Sequence, residues 1–177
     1  MRYVIVPGIN GSGPEHWQSH WEAALGSRAV RIAPASWDEP DASDWRRAVG
    51  AAEPRASVLV AHSLGCLAAA SWLVRAGAGD RPLGAFLVAP PDRDGPRFPA
   101  AAATFTAPAS PLPVPAVVVA SSDDPYSDLD RAAGLARTWG ATFVGVGPRG
   151  HLNDASGVGA WAAGRALLAE FTAGLPS

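Results

Sequence analysis

The segment Ser57-Val58-Leu59-Val60-Ala61-His62-Ser63-Leu64-Gly65-Cys66-Leu67-Ala68-Ala69-Ala70 joins two kinds of chain with no linker between them. Its first half is apolar and β-branched, the pattern of a buried strand, and its second half is rich in alanine, the best helix former. Ser63 therefore falls at a tight strand-to-helix turn. Such a turn is the setting of a nucleophile elbow, where a strained backbone lifts a serine hydroxyl clear of a sheet. Small residues two before and two after the serine let strand and helix approach, and Ala61 and Gly65 stand there. The same serine also suits a plain helix cap, because serine is a favoured N-cap. Only the remainder of the chain separates the two readings.

Upstream, Tyr3 to Val6 reads as a short strand, Pro7 to Pro14 as a glycine-rich loop and Glu15 to Leu25 as a helix. The glycines lack the G-x-G-x-x-G spacing of a dinucleotide loop, and no acidic residue closes a second strand about 20 residues on. Their use is to let main-chain N–H groups come close to a ligand. His16 and His20 stand four apart beside Trp17 and Trp21. The glutamate of H-E-x-x-H is absent and there is no third ligand, so an apolar stripe with a partly polar flank is expected and no metal site. Val30 to Ile32 predicts a second strand. Asp41 to Ala52 predicts a helix capped by Ser43, with Trp45 and Val49 on one face.

Downstream, the elbow helix is expected to run to Ala76, and Leu83 to Ala89 to form a strand. Pro90 to Pro115 is a proline-rich loop with a helical turn at Ala100 to Ala103, suited to wall one side of a site. Val114 to Ala120 is the clearest buried strand. Leu129 to Trp139 reads as a helix, Thr142 to Val146 as a strand and Val158 to Phe171 as a closing amphipathic helix. Alternating strands and helices imply a compact α/β fold of about six mostly parallel strands, with helices on both faces.

Composition narrows the classes further. A length of 177 residues with 48% hydrophobic content fits one domain with an ample core. The net charge is −2 and the 14 Lys and Arg residues are unclustered, which argues against nucleic acid or a membrane surface as partner. No apolar run approaches the roughly 18 residues of a spanning helix. One cysteine excludes an intrachain disulfide, and the chain starts directly with a strand-like run, so a cytoplasmic protein is expected.

Three residues of matching chemistry end three of these strands. Ser63 follows the third, Asp123 or Asp124 the fifth and His151 the sixth, so a parallel sheet brings all of them to one edge. Ligands bind at that edge. The order Ser, Asp, His is that of the α/β-hydrolases and differs from the chymotrypsin and subtilisin orders. One aspartate must reach the imidazole, while the other is free to cap the helix after Pro125 or face solvent. Spacing does not rank them. Cys66, one turn into the elbow helix, lacks the turn geometry of a nucleophile and reads as a small buried residue.

The sequence resembles the small serine hydrolases related to the retinoblastoma-binding serine hydrolase of animals and the YdeN proteins of bacteria. The resemblance covers nearly the whole chain. It rests on Val6-Pro7-Gly8, Gly13-Pro14-Glu15-His16-Trp17, His62-Ser63-Leu64-Gly65, Val88-Ala89-Pro90-Pro91-Asp92, Ser122-Asp123-Asp124-Pro125-Tyr126 and Gly150-His151-Leu152-Asn153. It implies a compact α/β-hydrolase without a large lid, with Asp124 as the catalytic acid and His151 as the base. The function expected is hydrolysis of a small ester or related acyl compound through an acyl-enzyme on Ser63. The backbone N–H groups of Leu64 and Ile9 would form the oxyanion hole, with Asn10 and His62 beside the substrate. No cofactor is implied and the sequence names no protein partner. The alternative is a catalytically weak protein-interaction scaffold on the same fold.

Overall fold

The structure is a computed structural model that describes residues 1–175. Six strands form one sheet: β1 Arg2–Val6, β2 Ala29–Arg31, β3 Ser57–His62, β4 Gly84–Val88, β5 Ala116–Ala120 and β6 Thr142–Gly145. Their order is β2-β1-β3-β4-β5-β6, and every neighbouring pair is parallel. Parallel strands need crossovers, and four of the five contain a helix: α1 Trp17–Leu25, α2 Ala42–Ala51, α3 Leu64–Leu73 and α4 Leu129–Trp139; the crossover from β4 to β5 has only a short helical turn, and α5 Ala162–Ala173 follows β6.

The period of two along each central strand divides the core between the faces of the sheet. Leu59, Ala61, Ala85, Leu87 and Val118 pack with Trp45, Leu67, Leu73 and Trp139, which come from α2, α3 and α4. Val58, Val60, Phe86, Val88, Val117 and Val119 pack with Trp17, Trp21 and Leu168 from α1 and α5, and with Trp161. Both faces are thus covered, which is why β3, β4 and β5 read as unbroken apolar runs. Trp21 and Trp161 stack with planes 7° apart, and Trp17 packs against both.

Several boundaries differ from the sequence expectation, each for a local reason. Helix α2 is capped by Asp41, whose carboxylate accepts the Asp44 N–H, while the expected cap Ser43 donates its hydroxyl to that same carboxylate. Helix α3 stops at Leu73, short of Ala76; the Arg75 guanidinium turns back onto the Ser71 carbonyl and hydroxyl. Helix α5 starts at Ala162, not at Val158, because Gly157, Gly159 and Trp161 all have positive φ. Helix α1 begins at Trp17, with His16 as its N-cap.

The order of strands changes direction between β1 and β3. The chain leaves β1 toward β2 on one side and returns to β3 on the other. Such a switch point opens a crevice beyond the carboxyl ends of the two strands. The glycine-rich loop after β1 and the turn after β3 both lie there.

Candidate active site

Ser63 holds the turn between β3 and α3 at φ 53° and ψ −127°, a conformation costly for any residue with a side chain. Two glycines make room for it. A β-carbon at Gly65 would sit 2.3 Å from the Val6 carbonyl oxygen and 2.4 Å from that of Pro7. One at Gly8 would sit 2.8 Å from the Ser63 β-carbon. Ser63 occupies the N-cap position of α3, yet its side chain makes no capping bond. Its Oγ donates instead to His151 Nε2, at 2.8 Å.

The opposite nitrogen of that imidazole, Nδ1, lies 2.9 Å from both carboxylate oxygens of Asp124. A carboxylate only accepts, so Nδ1 carries the proton and Nε2 is free to receive that of Ser63. The Asp124 side chain is 2% exposed and also accepts the Tyr126 N–H. Asp123 does different work. It faces outward and its Oδ1 accepts the Ser121 hydroxyl and the N–H groups of Arg149 and Gly150, each at 2.7 Å. These bonds, the hydroxyl first, hold its carboxyl below the usual aspartate range. Of the two roles open to the second aspartate, it caps no helix; Asp128 caps α4. It fastens the loop that carries His151.

That loop is tied at three further points. His62 Nε2 donates to the His151 carbonyl at 2.9 Å, and Trp17 Nε1 to the Leu152 carbonyl at 2.8 Å. The Asn153 side chain caps the short helical turn that follows. Leu152 itself has positive φ, a strained position bracketed by these bonds.

A cavity of about 270 Å³ opens over Ser63. Ile9, Asn10, His62, Leu64 and His151 line it, so the structure brings every residue singled out from the sequence to one place except Asp124, which stands behind the imidazole. Among the described residues, neither the Leu64 nor the Ile9 N–H donates to a protein acceptor, which leaves two main-chain donors beside the serine. Pro91 and Pro99 form part of the wall, placing the proline-rich segment at the site. Sequence reading missed Tyr126, whose ring lies 4.5 Å from that of His151, and Ser12, Asn153 and Asp154. Tyr126 adjoins the Asp-Asp-Pro motif and was open to inference; the others lie in loops whose course no local pattern fixes.

His16 also lines the cavity, and it is no flank residue of a helix. It is 2% exposed, its Nδ1 accepts the Gln18 N–H, and burial lowers its pKa to about 4. Among the described residues no cluster of His, Cys, Asp and Glu is arranged to hold a metal ion. Cys66 is buried against the Val88 carbonyl, and burial raises its thiol pKa.

A fully parallel sheet with a serine on a strained turn after a central strand, and a histidine and aspartate delivered by later strands, defines an α/β-hydrolase. A family model described as serine hydrolase matches residues 3–170, and the chain belongs to that family. It is 35% identical to a YdeN-like hydrolase from Pectobacterium atrosepticum, over 96% of this chain and 89% of that one, with a TM-score of 0.84. The ydeN product of Bacillus subtilis superposes with a TM-score of 0.81 at 21% identity, over 98% of this chain and all (100%) of that one. The type II thioesterase BorB from the borrelidin biosynthetic cluster shares the fold at a TM-score of 0.68 and 16% identity, over 96% and 91%. No curated protein sequence matches the chain.

Proposed function

We propose that this serine hydrolase cleaves short esters or related acyl compounds, thioesters included, through an acyl-enzyme on Ser63. The observation that carries the reading is the unbroken hydrogen-bonded line from Ser63 Oγ through His151 to Asp124 at the base of the cavity. Ser63 Oγ attacks the acyl carbonyl carbon while His151 Nε2 takes its proton. Asp124 fixes the imidazole tautomer and stabilises the imidazolium. The unoccupied N–H groups of Leu64 and Ile9 receive the oxyanion. His151 then returns the proton to the departing alcohol or thiol. Water, deprotonated by His151, attacks the acyl carbon, and His151 passes that proton to Ser63 Oγ as the carboxylic acid departs. Asn10 borders the substrate, while the enclosed His62 ring is held on the His151 carbonyl. A thioester is included because the thioesterase neighbour shares the fold. A cytoplasmic setting belongs to the same proposal, in keeping with a single buried cysteine.

The test is labelling with a fluorophosphonate, which captures an activated serine. Wild type should label, and Ser63→Ala and His151→Ala should not. Hydrolysis of p-nitrophenyl acetate should fall in both variants by about 10⁴-fold or more, as in comparable triads. A folded wild type that neither labels nor turns over would overturn the reading and favour a scaffold protein on this fold.

A further inference from the structure

Two buried ring nitrogens at the site have no hydrogen-bond partner among the described residues: Nε2 of His16 and Nδ1 of His62. Both imidazoles are almost wholly enclosed, 2% and 3% exposed. A buried polar atom without a partner is costly and calls for a reason. The second nitrogen of each ring settles its tautomer. His16 Nδ1 accepts the Gln18 N–H, so the neutral ring carries its proton on Nε2. His62 Nε2 meets the His151 carbonyl, which only accepts, so His62 is protonated there and its Nδ1 is bare. The unpartnered atoms are therefore one donor and one acceptor. The two rings meet edge to face, with centroids 4.7 Å apart. The donor of one ring and the acceptor of the other are complementary, and pairing them takes a rotation of a ring from its position in this structure.

Every link then points the same way. We propose that His16 and His62 form a directional imidazole relay, from the Gln18 N–H through His16 and His62 to the His151 carbonyl, which fixes the main chain of the base. This rests on the triad reading above, and both residues are positioning residues. The relay has a use because His62 is bonded covalently to Ser63. A bond from His62 to the His151 main chain fixes the spacing of nucleophile and base independently of the Ser63–His151 bond itself. Both rings must stay neutral for the pattern to hold, and burial lowers the pKa of each. The groups facing them are Asp154, Arg31 and His20 around His16, and His151 beside both.

The experiment compares kcat and KM on p-nitrophenyl acetate for wild type, His62→Leu, His62→Gln, His16→Phe and the His16→Phe/His62→Leu double variant. Misplacing a catalytic group by about 1 Å costs up to ~10²-fold. His62→Leu should therefore lose about ten- to a hundred-fold in kcat with KM nearly unchanged. His62→Gln, whose amide nitrogen reaches the place of Nε2, should recover most of it. His16→Phe should lose less, and the double variant no more than His62→Leu alone. In wild type, ¹⁵N spectra should show both rings as neutral Nε2–H tautomers, a readout that needs neither turnover nor a folded variant. Additive losses in the double variant, equal activity of the Leu and Gln variants, or an Nδ1–H tautomer on either ring would overturn the relay. Failure of wild type to label with fluorophosphonate would instead strike the triad reading, with the tautomers unaffected.

Discussion

Asp123 and Asp124 are neighbours in sequence with the same functional group, and their surroundings give them unlike tasks. Asp124 is enclosed and holds an imidazole; Asp123 is exposed and holds two backbone amides. Asp124→Asn should lower kcat by roughly 10⁴-fold while the fold persists, because an amide no longer enforces the Nδ1–H tautomer. Asp123→Ala should lower the melting temperature and reduce kcat far less. The Asp123 carboxyl titrates below its ordinary value of 3.8 in the folded state. It therefore favours folding above that pH, and the contribution is lost as pH falls through the depressed value. His16 acts at higher pH. Its folded pKa of about 4 lies below the ordinary 6.5, so the unfolded chain binds a proton more readily between the two. Stability should be full above about 6.5 and decline toward 4, and urea midpoints should fall less steeply across that window in His16→Phe. Residues were legible in the sequence to unequal degrees. Ser63 and His151 could be read because each follows a strand. The choice between the aspartates came from a family resemblance, since loop rotation, not spacing, decides which carboxylate turns inward. The burial of His16 against His62 was invisible, being a contact across 46 residues, from 16 to 62, with no local pattern to announce it.

The turn between β3 and α3 is the element on which the site depends, and its glycines are the sharpest place to test it. Gly65→Ala would drive a methyl into two main-chain carbonyls that cannot yield without parting β1 from α3. It should destabilise the protein by more than ~4 kcal/mol, a loss readable in thermal or urea unfolding. Gly8→Ala would set a β-carbon 2.8 Å from the Ser63 β-carbon, an atom fixed by the strained turn, and 3.4 Å from the His62 carbonyl oxygen. It should lower the melting temperature, though less than Gly65→Ala does, and slow fluorophosphonate labelling by about tenfold or more, through displacement of Ser63 and the Ile9 N–H. Elements were far more legible than single contacts. The six strands and five helices all follow from apolar runs and helix-favouring stretches, and Leu129–Trp139 matches to the residue. The errors fall at ends. The elbow helix is expected to reach Ala76, yet α3 ends at Leu73, where the Arg75 guanidinium folds back onto the Ser71 carbonyl. At Asp41 and Ser43 two good capping residues compete, and the longer carboxylate captures the amide and the hydroxyl alike.

At the scale of the molecule, the absence of a bulky insert sets what the enzyme can hold. Residues 89–115, between β4 and β5, form only one short helical turn, Ala100–Ala102, and give two prolines, Pro91 and Pro99, to the cavity wall. A space of about 270 Å³ lies just below the usual range of ~300–1,000 Å³ for drug-sized ligands. Acetyl and butyryl p-nitrophenyl esters should accordingly give higher kcat/KM than the decanoyl ester, by at least about tenfold, since the longer chain must lie outside. A flat profile across chain length would show that the wall moves. One part of the architecture also makes the molecule readable by light. Trp17, fully enclosed between Trp21 and Trp161, has its indole N–H fastened to the Leu152 carbonyl, one residue beyond His151. Its emission should be blue while the His151 segment is docked and should shift to the red once water reaches the ring. The difference spectrum between wild type and Trp17→Phe should thus serve as an intrinsic optical gauge of whether the His151 segment stays docked as denaturant is added.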